Sequence, residues 1–434
     1  MKNHFVIKVT KGFEKTLPES IPYWKDLILD KSVAVEYFYP AFDDFFRFHH
    51  LKCWITKEYQ SQNKNWSSEE IEAGLNLQYR IILQEDYTLP PDFLQRLRSV
   101  PHIEEASELE VAETQIPKPK LSIQSSYAPK KSSELIYLAY AQLLTKGIPT
   151  IRIAVLDTGV NMNHRELAGK LTKPADFVNI RGLDTTEFIG DMTDHDDIPE
   201  DEVGHGTHVS GIIAGKGIDM DEGVCPHCSI MPVRVLATMK SGKKIVGAGI
   251  IDNINTGIKW AVDNGADIIN MSLGIKHSGG GLPHEDVIKY AISKNVTIVA
   301  ASGNDGSPEK YYPGALPGVI AVGAVDNSGN VTDFSSYGAE ITVVAPGLNI
   351  YSSFSNNTYS YASGTSQASP FVCGSIGLMK SYAKQKGKNL SNDTIRYILQ
   401  HTSDKIDNRL RNEKAGYGLI NLADAFRLLN YFIH

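Results

Sequence analysis

The sequence contains no run of about 18 consecutive apolar residues, which excludes a membrane-spanning helix of the usual length. It has no dominant charge either: 43 basic residues stand against 50 acidic ones, for a net charge of −7. No basic stripe points to a nucleic-acid partner, and a solvated acidic surface accounts for the balance. Cysteine is scarce, with residues only at 53, 225, 228 and 373. The stretch Cys225-Pro226-His227-Cys228 invites a zinc reading, but a structural zinc site wants four ligands and a second such pair is missing. Two buried thiols suit a reducing compartment, and a loop disulfide an oxidising one. Residues Met1 to Val9 read as a short strand, without an apolar stretch long enough for a secretory signal. The expectation is therefore a cytoplasmic protein, with secretion after loss of a leader as the alternative.

What is present divides the chain in two. A small α+β domain is expected over residues 1–113, with a strand at Phe5 to Val9 and period-two alternation from Leu75 to Leu83. Aromatic-rich helical material lies around Phe42 to Trp54, and a short helix opens at Pro90-Pro91-Asp92. Residues 114–132, rich in Pro, Lys and Ser, read as an exposed linker. From 133 to 434 the pattern changes to short, wholly apolar runs such as Ile151 to Leu156, Ile268 to Leu273 and Val296 to Ala301. Helical stretches such as Ala248 to Asn264 alternate with them. Strands that are apolar on both faces imply a parallel sheet in an α/β domain, whose sites lie at the carboxyl ends of the strands.

Those ends carry the chemistry. The run Ile151 to Leu156 terminates in Asp157-Thr158-Gly159, where a rigid, desolvated carboxylate suits the orienting of a histidine. Gly204-His205-Gly206-Thr207-His208 then offers an imidazole between glycines that permit a tight turn into a helix. Ser363-Gly364-Thr365-Ser366 places a hydroxyl at the start of a helix of small residues, where the helix N-terminus faces whatever that hydroxyl attacks. Each stretch alone is as common in structural roles.

Together and in this order, the three stretches resemble the Asp, His and Ser motifs of the subtilases, the subtilisin-like serine peptidases, from about residue 130 to the end. The resemblance implies Ser366 as nucleophile, His205 as general acid–base and Asp157 as its orienter, and leaves His208 as a packing residue. Thr297 to Asn304 resembles the stretch that supplies the oxyanion-hole asparagine, here Asn304. Gly247-Ala248-Gly249 and Ser272-Leu273-Gly274 match the two segments between which subtilases bind a peptide as an added strand. Gln367 departs from the family's usual Met beside the nucleophile. Tyr311 stands where many members have a small residue at the floor of the primary pocket. The expected substrate is a peptide or protein, with no nucleic acid, no membrane and no required cofactor.

Calcium is an alternative that the resemblance adds for the acidic stretch Asp191 to Glu202, with Asp194, Asp196 and Asp197 as oxygen ligands. Their spacing matches no standard loop, and a solvated acidic loop is the preferred reading. Leu94 to Val111 resembles the end of the subtilase inhibitor-type prodomain, so the N-terminal domain is expected to lie in the catalytic cleft. A regulatory, partner-binding domain is the rival reading. The activity expected is that of a serine endopeptidase. A dedicated processing protease and a catalytically silent binding protein on the same fold are the alternatives.

Overall fold

The computed structural model describes residues 4–115, 120–121, 131–179, 186–191, 198–242, 244–277 and 282–433. In the N-terminal part, β1 (His4–Val9), α1 (Trp24–Leu29), α2 (Pro40–Phe48), β2 (Cys53–Lys57), α3 (Ser68–Glu72), β3 (Gln78–Leu83), α4 (Phe93–Leu97) and β4 (Ile103–Glu108) follow in chain order. The strands form one antiparallel sheet in the order β2-β3-β1-β4. Inward residues at period two, Phe5, Ile7 and Val9 of β1 with Tyr79, Ile81 and Leu83 of β3, meet Phe42, Phe46, Phe93 and Leu97 of the helices. The aromatic segment is thus not one helix. The α2 helix ends at Phe48, and Trp54 lies on β2, where its neighbours Cys53 and Ile55 turn inward.

Next come β5 (Val111–Gln115), β6 (Lys120–Leu121), α5 (Lys131–Leu135) and α6 (Leu138–Leu144). Strand pairing runs through residue 113 without a break, so the first residues read as linker are strand. The elements β7 (Arg152–Asp157), β8 (Ala175–Asp176), β9 (Phe188–Ile189), α7 (His205–Ala214), β10 (Ser229–Arg234), β11 (Ala237–Ser241), β12 (Lys244–Ile250), α8 (Ile251–Asp263) and β13 (Ile268–Met271) follow. The chain continues through β14 (Ile275–Lys276), α9 (Glu285–Ser293), β15 (Thr297–Ala301), β16 (Tyr311–Tyr312), β17 (Ile320–Val325), β18 (Ile341–Pro346), β19 (Ile350–Ser353) and β20 (Tyr359–Ala362). It closes with α10 (Thr365–Gln385), α11 (Asn392–Thr402) and α12 (Leu422–Ile433). Residues Ala248 to Ile250, which read as helix in the sequence, complete β12 instead.

Seven strands form a parallel sheet in the order β18-β17-β15-β13-β7-β10-β8. Alternate residues of β7 serve two cores. Ile153 and Val155 pack with Val209 and Ile213 of α7 and with Val372 and Ile376 of α10. Ala154 and Leu156 pack with Ile254 and Ile258 of α8 and with Val287 and Ile288 of α9. The chain leaves β7 towards β10 on one side, while β13 pairs on the other, so Asp157 ends a strand at the point where the order reverses.

The two parts dock through α8 and α9. Tyr59, Ala73 and Leu75 join the apolar core beneath those helices. Around them, Lys259 Nζ meets Glu70 Oε1 at 2.6 Å, Lys8 Nζ meets Asp286 Oδ2 at 3.2 Å, and Arg80 Nη1 donates to Asn253 Oδ1 at 3.0 Å. Cys225 and Cys228 are joined as a buried disulfide, which removes both as metal ligands. Among the described residues no helix is long and apolar enough to cross a membrane.

Candidate active site

Helix α7 begins at His205 because Gly204 caps it with φ +86°, a conformation costly to residues with a Cβ, and a Cβ there would lie 2.6 Å from the Phe354 ring. The imidazole is buried, and its Nδ1 lies 2.7 Å from Oδ1 of Asp157 at the end of β7. The same carboxylate oxygen accepts the Thr158 N–H at 2.7 Å. Burial opposes a charge on His205, but the Asp157 carboxylate outweighs it and holds the imidazole pKa above its ordinary value. The Nε2 atom of His205 is buried and has no hydrogen-bond partner among the described residues.

Ser366 lies in the first turn of α10, where backbone N–H groups have no intrahelical acceptor. Its hydroxyl donates to the Ser272 carbonyl at 3.1 Å and is not turned onto His205. Ser272 returns the bond: its Oγ donates to the Ser366 carbonyl at 2.8 Å. That carbonyl is free because residue 370, which would ordinarily bond it, is a proline. Asn304 accepts from Thr365 N at 2.8 Å and Thr365 Oγ1 at 3.0 Å through Oδ1, which leaves its amide nitrogen to donate elsewhere. Asn304, Thr365 and Ser366 line one cleft of about 460 Å³ with Leu273, Gly274 and Tyr311.

One of the two expected peptide-binding segments is already paired with a strand. Gly247, Ala248 and Gly249 lie on β12 opposite Thr114, Glu113 and Ala112 of β5, in antiparallel register. Val111 lines the cleft together with Leu273 and Gly274. The Tyr311 side chain lies between two backbones: its Cβ is 3.2 Å from where a Cβ on Gly274 would stand, and a Cβ on Gly303 would strike its ring. Its hydroxyl donates to Asp305, which also pairs with Lys276 at 2.6 Å. Burial and the Asp305 bond push its pKa up.

Sequence reading missed Asp201. It sits in the acidic stretch taken for a solvated loop, yet it is 3% exposed. Its carboxylate accepts Thr158 Oγ1 at 2.9 Å, Thr207 Oγ1 at 2.7 Å and the Gly204 N–H at 2.8 Å. It thereby ties the loop after Asp157 to the start of the His205 helix. The available signal was its place four residues before His205. Asp194, Asp196 and Asp197 lie outside the described residues. Burial holds His208 neutral, with a pKa lowered to about 4, and its Nε2 lies 3.1 Å from the carbonyls of Ile350 and Ser360.

The chain matches the Subtilase family model over residues 149–418. It is 39% identical over 291 residues to a thermophilic serine proteinase of Bacillus sp. (strain AK1), a match covering 67% of this chain and 65% of that protein. It is 38% identical over 260 residues to thermitase of Thermoactinomyces vulgaris, covering 59% of this chain and 81% of that protein. The chain thus spans just under two thirds of the first relative's length and more of the second's. The solved structure of the prenylagaramide maturation protease PagA is similar, with a TM-score of 0.54 and 30% identity, over 67% of this chain and 98% of that one. The seven-stranded parallel sheet, the helices on both its faces and these matches agree: the chain belongs to the subtilase family.

Proposed function

We propose that this chain hydrolyses peptide bonds with Ser366 as nucleophile, His205 as general base and then acid, and Asp157 as the group that orients and stabilises the imidazolium. The observation that carries the proposal is the 2.7 Å contact of His205 with Asp157, set at the end of β7, with the other ring nitrogen unpartnered among the described residues. In the reaction the Ser366 hydroxyl leaves the Ser272 carbonyl, gives its proton to Nε2 of His205 and attacks the substrate carbonyl. The Asn304 amide and the Ser366 N–H stabilise the oxyanion, and His205 returns the proton to the departing amine; a water deprotonated by His205 then attacks the acyl-Ser366 ester, the acid leaves, and the serine oxygen takes the proton back. The substrate is a polypeptide bound as a strand between β12 and the Ser272 to Gly274 segment, in the manner of β5. No cofactor takes part.

The same pairing supports restraint by the N-terminal domain. As long as β5 occupies the groove the enzyme is held off, and cleavage at or shortly after Gln115 frees it. Residues 1–113 are in this reading an inhibitory domain, 114–132 the segment that is cut, and 133–434 the enzyme. A second reading, a processing protease of narrow choice, is favoured by the Tyr311 ring lying between Gly274 and Gly303.

The test is Ser366→Ala. The variant should keep its fold, lose peptide hydrolysis and labelling by a fluorophosphonate probe, and remain full length by mass spectrometry. Undiminished hydrolysis would refute the assignment. A wild type that is folded but never labelled would favour a catalytically silent binding protein.

A further inference from the structure

The segment beyond β5 makes a second strand pairing. β6 adds to the outer edge of the β19–β20 hairpin, antiparallel to β20, with Leu121 opposite Ser360 and Lys120 opposite Tyr361. β20 runs through Ser363, Gly364 and Thr365 straight into Ser366. One continuous stretch of chain is therefore held by strand addition at two edges: β12 beside the cleft, and β20 next to the nucleophile helix. Lys120 is the fifth residue after Gln115, so the two paired ends are at most about 18 Å apart for a fully extended chain. An extended peptide that enters along β12 and passes Ser366 reaches the β20 edge after a handful of residues.

We propose that the edge of β20 at Ser360 and Tyr361 is a second peptide-binding site of the enzyme. It lies on the leaving-group side of the cleaved bond and takes the substrate backbone about five to six residues beyond that bond. This rests on the reading of Ser366 as nucleophile. In the intact chain the site is filled from within, by Lys120 and Leu121; after cleavage it is open to substrate.

The edge is fixed in place before anything binds. Nε2 of His208 bridges the Ile350 and Ser360 carbonyls at 3.1 Å each. Ser352 Oγ donates to the His208 carbonyl at 2.8 Å, and Ser353 Oγ to the Thr207 carbonyl at 2.9 Å. The hairpin is thus bolted to α7, the helix that begins with His205, so edge and general base move together. A rigid edge spares a ligand the entropy of ordering it. The hairpin also carries a row of rings: Tyr351 lies 4.8 Å from Tyr361 and 5.8 Å from Tyr359, centroid to centroid. The substrate side chain that pairs opposite Tyr361 shares its face of the sheet, where a long stem gains apolar contact. Recognition is through main chain first, so a peptide that is not extended at these positions gains nothing.

Two measurements test this, one independent of catalysis. In the full-length Ser366→Ala chain, amides within 359–362 should be protected from hydrogen exchange, and Lys120→Pro with Leu121→Pro should speed the exchange of those facing β6 at least about tenfold, since β6 then loses its own ladder bonds and lets go of the edge. Exchange unchanged by the two prolines would overturn the pairing. Wild-type protein is then assayed on peptides identical up to the cleaved bond and carrying three or seven residues beyond it. The longer peptide should show a KM lower by roughly tenfold, the scale of one or two net backbone hydrogen bonds, with kcat little changed. N-methylation of its fifth and sixth leaving-side amides should abolish the gain. Equal KM values, or a gain that survives N-methylation, would overturn the substrate site even if exchange shows the internal pairing. Hydrolysis of neither peptide, with protection intact, would instead refute the protease reading and leave the pairing supported by the exchange result.

Discussion

Nδ1 of His205 lies 2.7 Å from Oδ1 of Asp157, and both side chains are buried, at 3% and 0% exposure. The carboxylate favours the imidazolium more than burial disfavours it, so His205 stays protonated to a higher pH than an ordinary histidine. A general base must be neutral to accept the serine proton. The acid limb of kcat/KM should therefore lie above the ordinary histidine value of about 6.5, with activity rising as pH rises through it. Asp157→Asn removes the raising charge, so the limb should move to lower pH while turnover falls by about 10³–10⁴. A limb that stays in place in that variant would detach His205 from the titration.

The Tyr311 ring lies between Gly274 and Gly303 in the cleft, and under the proposed function a substrate side chain enters there. The wild type should prefer small or medium residues before the cleaved bond. Tyr311→Gly opens the slot and should raise kcat/KM for large aromatics by about 10- to 200-fold, the range one pocket contact commands. Its loss also removes a partner of Asp305, so Tyr311→Phe serves as control and should leave the preference unchanged. A peptide-library profile that is the same for wild type and Tyr311→Gly would remove Tyr311 from the pocket.

Gln367 is 0% exposed, and neither its side-chain oxygen nor its nitrogen has a hydrogen-bond partner among the described residues. Leaving a buried polar group unpaired costs about 1–3 kcal/mol. Gln367→Met fills the same space without that cost and should raise the Tm by several degrees, at about 2–4 °C per kcal/mol for a domain of this size. The variant should also become sensitive to peroxide, since a thioether beside the nucleophile oxidises and an amide does not. Calorimetry before and after peroxide, with activity followed in parallel, reads both effects. A lower Tm for Gln367→Met would mean that the amide is satisfied in solution.

How much of this was readable from the sequence depends on how local each signal is. Ile151 to Leu156 announced a strand buried on both faces, because no polar residue interrupts it after Arg152, and the carboxylate at its end followed from position alone. Asp201 was hidden because the six other acids between Asp191 and Glu202 made the loop look solvated; its burial depends on hydroxyls of Thr158, far off in the sequence, and Thr207. Trp54 was assigned to a helix because aromatic density has no period of its own; the pairing of Cys53 with Leu83 decides for strand. Residues 114 and 115 read as linker because their partners, Gly247 and Val246, lie more than a hundred positions away. Strand addition to an edge leaves no mark in a short polar segment, and the pairing of Lys120 and Leu121 with β20 could not have been seen for the same reason.

The last prediction concerns Arg80, which is buried where the N-terminal domain meets α8. Its Nε and Nη2 donate to the Glu58 carboxylate at 2.7 and 2.6 Å, its Nη1 reaches Asn253 of α8 at 3.0 Å, and the Trp24 ring lies 4.2 Å from it. Glu58 is 0% exposed, and burial already pushes its pKa up against the pull of Arg80. Arg80→Ala leaves that carboxylate without its cation, a loss of about 3–5 kcal/mol for a broken buried pair. Because Asn253 belongs to the catalytic part, some of the loss should fall on docking of the domain. The sign with pH follows: a carboxyl whose pKa is raised in the docked state favours docking when protonated, so docking of the variant should weaken as pH rises above about 4.3. In the Ser366→Ala background, which separates docking from cleavage, Arg80→Ala should make residues 1–113 more accessible to an added protease at pH 7 than at pH 5. With Ser366 intact, the same substitution should shorten the delay before activity appears. Adding Glu58→Gln removes the stranded charge and should restore part of the docking. Equal accessibility at both pH values, or an unchanged delay, would show that the Arg80–Glu58 pair serves the N-terminal domain alone and has no part in holding β5 in the cleft.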